Sequence, residues 1–288
     1  TARAYSDSEE KLGYAFAGIR DKVVIATKTA AQTAEGLRQD LETSLRLLNT
    51  DYIDVYQFHN PAFCPRPGGE DGLYDAALEA KKQGKIRHIA ITNHRLAVAH
   101  EAVDSGLYAL LQFPFSYLSG PQEQELVEKC RAKGMGFVAM KGMAGGLLRD
   151  GTVAAAWMAR QEGVVPIWGV QHEWELDQFL ACVEETPALT PERQAVIDRD
   201  RAELTGDFCR GCGYCMPCPV GIQINQCARM SLMLRRAPAA DWLSNYWQEE
   251  MKKIEHCLRC GKCASKCPYG LDTPRLLQDN WKEYQSHI

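Results

Sequence analysis

Two hydrophobic patterns alternate along the front two-thirds of the chain. Short apolar runs, typical of buried strands, are separated by segments in which apolar residues recur every three or four positions. Leu37, Leu41, Leu45 and Leu48 show this helical spacing after the first apolar run. Six runs are predicted as strands, at residues 23–28, 54–59, 88–93, 109–115, 136–142 and 166–170. Strands separated by helices predict parallel βα units, in an open sheet or a closed barrel.

Polar residues at the ends of these runs indicate which edge of the sheet carries chemistry. Lys28, His59, Asn93 and Gln112 lie at or near the C-terminal ends of four predicted strands. In a closed βα barrel that edge holds the active site. We therefore predict an α/β fold, a (β/α)8 TIM barrel. A full barrel needs eight strands, so the six visible runs lead us to expect that its first two strands precede this sequence.

The pattern changes in the last third of the chain. Residues 190–206 are predicted as a linking helix, from the segment TPERQAVIDRDRAEL, so the barrel is expected to cover residues 1–189. Residues 207–288 are predicted as a mainly helical C-terminal domain, with helices in RMSLMLRR and in DWLSNYWQEEMKKIEHC. The chain is therefore expected to have one large domain and one small one.

Composition narrows the class of protein. The 288 residues carry a formal net charge of −4 and no basic stripe, which argues against nucleic-acid binding. No run of about 18 apolar residues occurs, so no membrane span is predicted. Of the 12 cysteines, two-thirds stand in two tight groups near the C-terminal end, unlike the scattered cysteines of a short disulfide-linked protein. This usage favours a reducing, cytoplasmic setting with metal-bound thiolates.

Both cysteine groups follow the spacing of bacterial ferredoxins. Residues 257–268 match C-x-x-C-x-x-C-x-x-x-C-P, and residues 209–219 repeat that run with one residue fewer before the last cysteine. In two-cluster proteins the fourth cysteine of a run ligates the other cluster. We therefore predict two 4Fe–4S clusters, cluster I on Cys209, Cys212, Cys215 and Cys267 and cluster II on Cys257, Cys260, Cys263 and Cys218. Paired C-x-x-C motifs also suit tetrahedral zinc, which is the alternative interpretation.

Segments in the front part carry a family resemblance. TARAYSDSEEKLGYAF, VVIATK, LETSLRLLNTDYIDVYQFHNP and KKQGKIRHIAITNH are similar, in order and approximate spacing, to the aldo-keto reductase family. The resemblance implies catalytic roles for Tyr5, Lys28 and His59, with a fourth catalytic residue, an aspartate, expected just before Thr1. In that chemistry the tyrosine donates a proton to the developing alkoxide, the lysine lowers the pKa of the tyrosine, and the histidine donates to the carbonyl oxygen.

The resemblance also implies a nicotinamide cofactor. Thr92, Asn93 and Gln112 match the side chains that hold the carboxamide of the nicotinamide in this family. Met140 takes the place of the aromatic residue that usually stacks on the nicotinamide ring. A thioether can cover a ring face as well. These four residues are therefore predicted to bind the cofactor.

The segment GVQHEWELDQF is predicted to lie at the adenosine end of the cofactor. It includes Gly169 and Glu173, and the family usually places lysine or arginine there, around an adenosine 2′-phosphate. This chain has no lysine or arginine in the segment and carries three carboxylates instead. Carboxylates accept hydrogen bonds from a ribose hydroxyl and repel a phosphate. We therefore predict NAD(H) in preference to NADP(H).

These observations define one predicted function and two alternatives. The first is an oxidoreductase that transfers hydride between a nicotinamide and a small carbonyl or alcohol substrate, in a barrel carrying two accessory clusters. The second is an iron–sulfur electron-transfer protein whose barrel serves as a docking or sensing domain. The third is a redox-neutral isomerase or lyase that holds NAD tightly. The expected protein partner is a ferredoxin-like or other redox protein.

Overall fold

The structure of the protein is a computed structural model, which describes residues 1–170, 172–204, 208–236 and 239–288. The described residues form two compact units. The first unit comprises Thr1–Phe113, Gly120–Ala139 and Gly163–Val165, and the second comprises Pro114–Ser119, Met140–Glu162 and Pro166–Ile288. The boundary expected between residues 206 and 207 lies outside the described residues, so the domain limits stay a prediction.

A parallel sheet with one strand per βα unit forms the α/β part of the chain. Within the described residues its strands are β1 (Ala26–Thr29), β2 (Ile53–His59), β3 (Ile86–Thr92), β4 (Leu110–Pro114), β5 (Gly136–Met140) and β6 (Val164–Ile167). They are hydrogen-bonded to one another in sequence order. All six predicted strands are confirmed, with their ends within about three residues of the predicted limits.

Helices connect the strands, as the alternating pattern predicted. Helix α1 (Ser8–Ala15) precedes β1, and α2 (Ala34–Leu47), α3 (Leu73–Lys82), α4 (Leu96–Ser105), α5 (Pro121–Ala132) and α6 (Gly151–Met158) each follow one strand, before α7 (Glu173–Glu184) follows β6. Helix α2 shows why these segments are helical. The Thr33 hydroxyl caps its first turn by accepting from the Gly36 N–H at 3.2 Å, and Leu37, Leu41 and Leu45 form its buried face.

A buried carboxylate ties the first two helices to the sheet. Glu9 of α1 is almost completely buried and accepts hydrogen bonds from the Thr27 hydroxyl at 2.6 Å and the Ser44 hydroxyl at 2.8 Å. It also pairs with Arg3. A buried charge is tolerated only where it is paired and hydrogen-bonded, so these contacts fix α1, β1 and α2 against one another.

The C-terminal ends of the strands carry buried polar side chains in register. Lys28 of β1 stands opposite Gln57 of β2, and His59 of β2 stands opposite Thr92 of β3, which in turn stands opposite Gln112 of β4. Residues opposite one another in a parallel sheet point to the same face. The polar residues therefore form two rows on one face of the sheet, at the edge where chemistry was predicted.

The C-terminal region is helical, as predicted. Its helices are α8 (Pro191–Glu203), α9 (Ile224–Cys227), α10 (Met230–Arg236), α11 (Ala239–Trp242), α12 (Asn245–Lys252), α13 (Lys262–Ser265) and α14 (Thr273–Gln285). The buried Asn280 joins α14 to α10, because its amide donates to the Ala228 oxygen at 3.2 Å and accepts from the Ser231 N–H at 2.8 Å. Among the described residues, no helix has the length and apolar character needed to cross a membrane.

Candidate functional site

Three side chains predicted to be catalytic lie together at the ends of β1 and β2. Lys28 of β1 is 4% exposed, His59 is the last residue of β2, and Tyr5 lies in the turn before α1 and is 48% exposed. The Tyr5 and His59 rings meet edge to face, with their centroids 5.6 Å apart. The Lys28 Nζ atom lies 5.1 Å from the centroid of the Tyr5 ring. The structure thus brings the three groups into one place, and their catalytic roles stay predictions.

Burial dominates the electrostatics of this group. It lowers the pKa of Lys28 to about 8. Burial, helped by the Lys28 charge, lowers the pKa of His59 to about 4, and burial raises the pKa of Tyr5 above 10.0. At neutral pH the group therefore holds a neutral phenol, a neutral imidazole and an ammonium.

The direction of the Tyr5 shift is opposite to the one expected from the sequence, which assumed that the lysine would lower it. The Lys28 ammonium donates its hydrogen bond to the backbone oxygen of Thr1, 2.6 Å away, and lies over the face of the phenol ring. Partial burial disfavours the charged phenolate, and this is what raises the pKa of Tyr5. Tyr5 therefore keeps its proton and is suited to act as a proton donor.

The residues predicted to hold the carboxamide lie at the next two strand ends. Thr92 ends β3, Gln112 lies in β4, and the Asn93 N–H donates to the Gln112 backbone oxygen at 3.1 Å. The Asn93 side chain is engaged by its own loop, because its amide donates to the Pro61 oxygen at 2.8 Å. Its Oδ1 atom accepts from the N–H groups of the next two residues, each at 2.9 Å. Asn93 therefore shapes the loop after β3, in addition to its predicted role.

Gln57 is a buried polar residue that the sequence analysis missed. It lies two residues before His59 on the same face of β2, and its amide donates to Gln112 Oε1 at 3.2 Å. This contact passes over β3, where the small Ala90 is opposite Gln57 and Thr92 is opposite Gln112. Among the described residues, the Gln57 Oε1 atom has no hydrogen-bond partner. Its polar character at an inward position of the run DVYQFH was the signal that would have identified it.

The remaining predicted cofactor residues lie in the second unit. Met140 ends β5 and is buried, and its backbone oxygen accepts from the Phe115 N–H at 3.0 Å. Gly169 is exposed after β6, and Glu173 is the first residue of α7. The Glu175 carboxylate closes the first turn of α7 by accepting from the His172 N–H at 2.9 Å. The roles of these residues toward a cofactor stay predictions.

The first set of predicted cluster ligands is assembled across the sequence. Electrostatic interactions join Cys209 to Cys212 and to Cys267, and join Cys215 to Cys209, Cys212 and Cys263. Burial raises the pKa of Cys209, and it raises the pKa of Cys215 to about 12. Cys267, which belongs to the second sequence run, thus lies near Cys209 of the first. The ligand set of cluster I stays a prediction.

The second set lines a cleft of about 410 Å³, open solvent included. Cys218, Cys257, Cys260 and Cys263 all border it, together with Cys215 of the first set and with apolar side chains from residues 217–224 and from α14. Within the described residues, no group of three or more histidine, cysteine or acidic side chains is packed closely enough for a single metal ion. A cubane is bound through separate iron atoms, so its sulfur ligands lie farther apart than the donors of one ion. The four thiols and the apolar lining fit such a cluster.

Family profiles match both parts of the chain. The profile of the Aldo/keto reductase family matches residues 1–153, more than half of the 288 residues. The chain belongs to the aldo/keto reductase family. A second profile, the 4Fe-4S dicluster domain, matches residues 208–272 of this family member. The two matches support an oxidoreductase with an iron–sulfur domain, as the sequence predicted.

Curated relatives of this aldo/keto reductase family member match its front half. An uncharacterised oxidoreductase of Bacillus subtilis is 30% identical over 45% of this chain and 45% of its own length. A methylglyoxal reductase of Salmonella typhi is 32% identical over 54% of this chain and 60% of its own length. An NADH-specific methylglyoxal reductase of Escherichia coli is 28% identical over 46% of this chain and 41% of its own length. The chain spans about half the length of these relatives.

Solved structures confirm the predicted fold class. An aldo-keto reductase from Bacillus halodurans matches in its holo form with a TM-score of 0.55 and 23% identity, and in its apo form with a TM-score of 0.56 and 24% identity. Each match covers 67% of this chain and 76% of the other. At this level of identity the likeness establishes the α/β TIM-barrel fold and nothing about substrate.

A buried arginine and a partly buried lysine, which the sequence analysis missed, lie beside the first cysteine set of this family member. Arg229 is 6% exposed and donates to the Gly145 oxygen at 2.5 Å and to Gln226 Oε1. Lys141 donates to the backbone oxygen of Arg210 at 3.3 Å. Both cations interact with the charge of Cys209. Positive charge held next to buried thiolates stabilises the anionic ligand set.

Gly211 provides a direct test of this arrangement. Its φ is +63°, and a Cβ there would lie 2.8 Å from Arg229 Nη1 and 2.9 Å from Cζ. Gly213 has a similar φ of +81°, but among the described residues no atom lies within 4 Å of its Cβ position. Gly211→Ala is therefore expected to displace Arg229 and lower iron content, at a cost of about 1–3 kcal/mol beyond the backbone strain that both variants share. Iron content per chain and thermal unfolding of the anaerobic protein measure this, and equal losses in Gly211→Ala and Gly213→Ala would contradict it.

Proposed function

We propose that this chain is a nicotinamide-dependent oxidoreductase that interconverts a small carbonyl compound and its alcohol, in a barrel carrying two 4Fe–4S clusters. The observation that carries the proposal is the grouping of Tyr5, Lys28 and His59 at the C-terminal ends of β1 and β2. That edge is where TIM-barrel enzymes hold their active sites. The matches to two methylglyoxal reductases support a small carbonyl substrate.

The chemistry of the three side chains follows from their protonation states. The nicotinamide supplies hydride to the carbonyl carbon when it is bound. Tyr5 holds a proton at neutral pH and delivers it to the oxygen of the substrate. His59 is a neutral imidazole, whose N–H donates to the same oxygen. The Lys28 ammonium over the Tyr5 ring stabilises the negative charge that develops on the phenol as its proton leaves.

This division of roles predicts the pH dependence of carbonyl reduction. Lys28 has a pKa of about 8, so its positive charge is lost as pH rises through that value and kcat/KM is expected to fall above it. His59 has a pKa of about 4, so it is neutral from about pH 5 upward and adds no acidic limb there. Initial rates from pH 5 to pH 10 measure the profile. In Lys28→Arg, whose guanidinium keeps its charge, the alkaline limb is expected to disappear, and an unchanged limb would show that another group titrates.

We propose NAD(H) as the cofactor in preference to NADP(H). Helix N-termini attract anions, and in many proteins they bind phosphate. Here the first turn of α7 carries two carboxylates of its own, Glu173 and Glu175, which oppose a 2′-phosphate. The match to an NADH-specific reductase agrees with this choice. Isothermal titration is expected to show tighter binding of NADH than of NADPH, and a tenfold preference for NADPH would overturn the choice.

One anaerobic experiment tests the function as a whole. The full chain with intact clusters is mixed with NADH, and its visible spectrum is recorded before and after methylglyoxal is added. The expected result is that the cluster absorption stays unchanged, with NADH consumed in equal amount to the carbonyl only after methylglyoxal is added. Bleaching by NADH alone would favour the electron-transfer alternative. Turnover without net NADH consumption would favour the redox-neutral alternative.

A further inference from the structure

One loop of the C-terminal domain combines exposed cluster ligation with an exposed apolar side chain. Eight cysteines are predicted to bind the clusters, and all of them are among the residues that the structure describes. Of these eight, Cys260 alone is exposed. Leu258, two residues earlier, is 66% exposed. Both border the cleft that holds the second cysteine set. Of the four cysteines of the second set, Cys260 is thus the one most accessible from solvent.

The same loop carries an excess of positive charge. Arg259, Lys262 and Lys266 are exposed, and residues 256–267 contain no aspartate or glutamate. Arg259 and Lys262 border the cleft with Leu258. Lys262 is the first residue of α13, and Lys266 is the capping residue that follows its last residue. Side chains four residues apart in helical backbone lie on the same side.

These cations differ from their neighbours in having no acidic partner among the described residues. Elsewhere in the C-terminal domain Lys253 pairs with Glu250, Arg235 pairs with Glu283, and Arg275 pairs with Asp279. We give the name docking face to Leu258, Arg259, Cys260, Lys262 and Lys266. An apolar centre with a charged rim is the usual anatomy of a transient protein interface.

We propose that the docking face binds an acidic one-electron carrier protein. Opposite charge on the carrier would steer the encounter, and Leu258 would pack against an apolar group at its centre. Each encounter would pass one electron: the carrier would be oxidised by one electron, and a cluster bound by Cys218, Cys257, Cys260 and Cys263 would be reduced by one. The inference rests on the proposed function only in that these cysteines bind clusters. Binding of the carrier requires neither a nicotinamide nor a carbonyl substrate.

The test measures binding of a small acidic 2Fe–2S ferredoxin to the anaerobic full chain with intact clusters. Lys262→Glu/Lys266→Glu is compared with Lys81→Glu/Lys82→Glu, which makes the same change in net charge at two exposed lysines of α3. At about 20 mM salt the first variant is expected to weaken binding at least tenfold and the second less than twofold. At high salt the wild type and both variants are expected to converge.

Further measurements keep the result interpretable. Iron content shows whether the charge-reversed variant has lost its clusters. If it has, Lys262→Gln/Lys266→Gln replaces it, and this variant is expected to weaken ferredoxin binding at least threefold. Leu258→Ser is expected to weaken binding at both salt concentrations. A basic cytochrome of similar size is expected not to bind. Equal effects of the two double variants, or binding of the cytochrome as tight as that of the ferredoxin, would overturn the proposal. Carbonyl reduction by NADH is assayed separately, so failure of the proposed function and failure of the docking face are distinguishable.

Discussion

Replacing Cys267 with alanine is expected to reduce the iron content of the purified chain from about eight atoms to about four. Cys267 belongs by sequence to the second cysteine run, but in the structure it lies with Cys209 of the first. Its loss should therefore remove cluster I and spare the cluster in the cleft bordered by Cys257. Iron and sulfide analysis of the anaerobically purified protein, with electron paramagnetic resonance of the reduced form, measures the result.

Double variants separate crossed from uncrossed ligation. With crossed ligands, Cys209→Ala/Cys267→Ala removes two ligands of the same cluster, so the protein should retain about four iron atoms in the other cluster. Cys257→Ala/Cys267→Ala disables both clusters and should retain almost none. Uncrossed ligation predicts the reverse pattern, and observing it would refute our assignment. Cys227→Ala is the matched control, since Cys227 is fully buried in α9, outside both cysteine runs, and its loss should leave all of the iron in place.

Tyr5→Phe is expected to lower kcat for carbonyl reduction by about 10²- to 10⁴-fold, the usual contribution of a positioned general acid. The change removes one oxygen and keeps the ring that contacts His59 edge to face and lies under the Lys28 ammonium. The group is therefore expected to keep its packing while losing the proton that it delivers. Steady-state kinetics with NADH and methylglyoxal, with NADH affinity measured separately by titration, records the effect.

A second tyrosine provides the control for this prediction. Tyr14 lies on α1 and is largely exposed, so Tyr14→Phe should leave kcat and NADH affinity within about twofold of the wild-type values. If Tyr5→Phe kept kcat within about threefold, Tyr5 would not be the proton donor. If it instead lost NADH affinity with kcat unchanged, Tyr5 would act in binding and not in proton transfer.

The sequence was sufficient to predict the strands and the helices. It was also sufficient to predict which residue type would bind the clusters. Helix α2 was evident from leucines three and four residues apart, and β2 from an apolar run that ends in His59. The cysteine spacing predicted sulfur ligands for iron because three thiolates at such intervals can bind three corners of one cluster. All of these signals are local, since each depends on residues that lie within one short segment of the sequence.

The residues that surround the cluster-binding cysteines could not be predicted in this way. Arg229 and Lys141 reach Cys209 from segments about 20 and about 70 residues away in the sequence, and nothing in the local pattern links them to it. Gln57 likewise meets Gln112 across an intervening strand. Such contacts arise only when the chain has folded, because the residues that make them are unrelated in sequence spacing.

The sequence by itself determined the order of the βα units, the helical C-terminal region and the chemical groups available for catalysis and cluster binding. These features depend on hydrophobic periodicity and on side-chain chemistry, and both can be read directly from the order of the amino acids. The tertiary structure decided how those groups act on one another. It placed the Lys28 ammonium over the face of Tyr5 and withdrew part of the phenol from water, so the pKa of Tyr5 rises where the sequence predicted a fall. Distance and burial set the balance between desolvation and charge, and both are properties of the folded molecule alone.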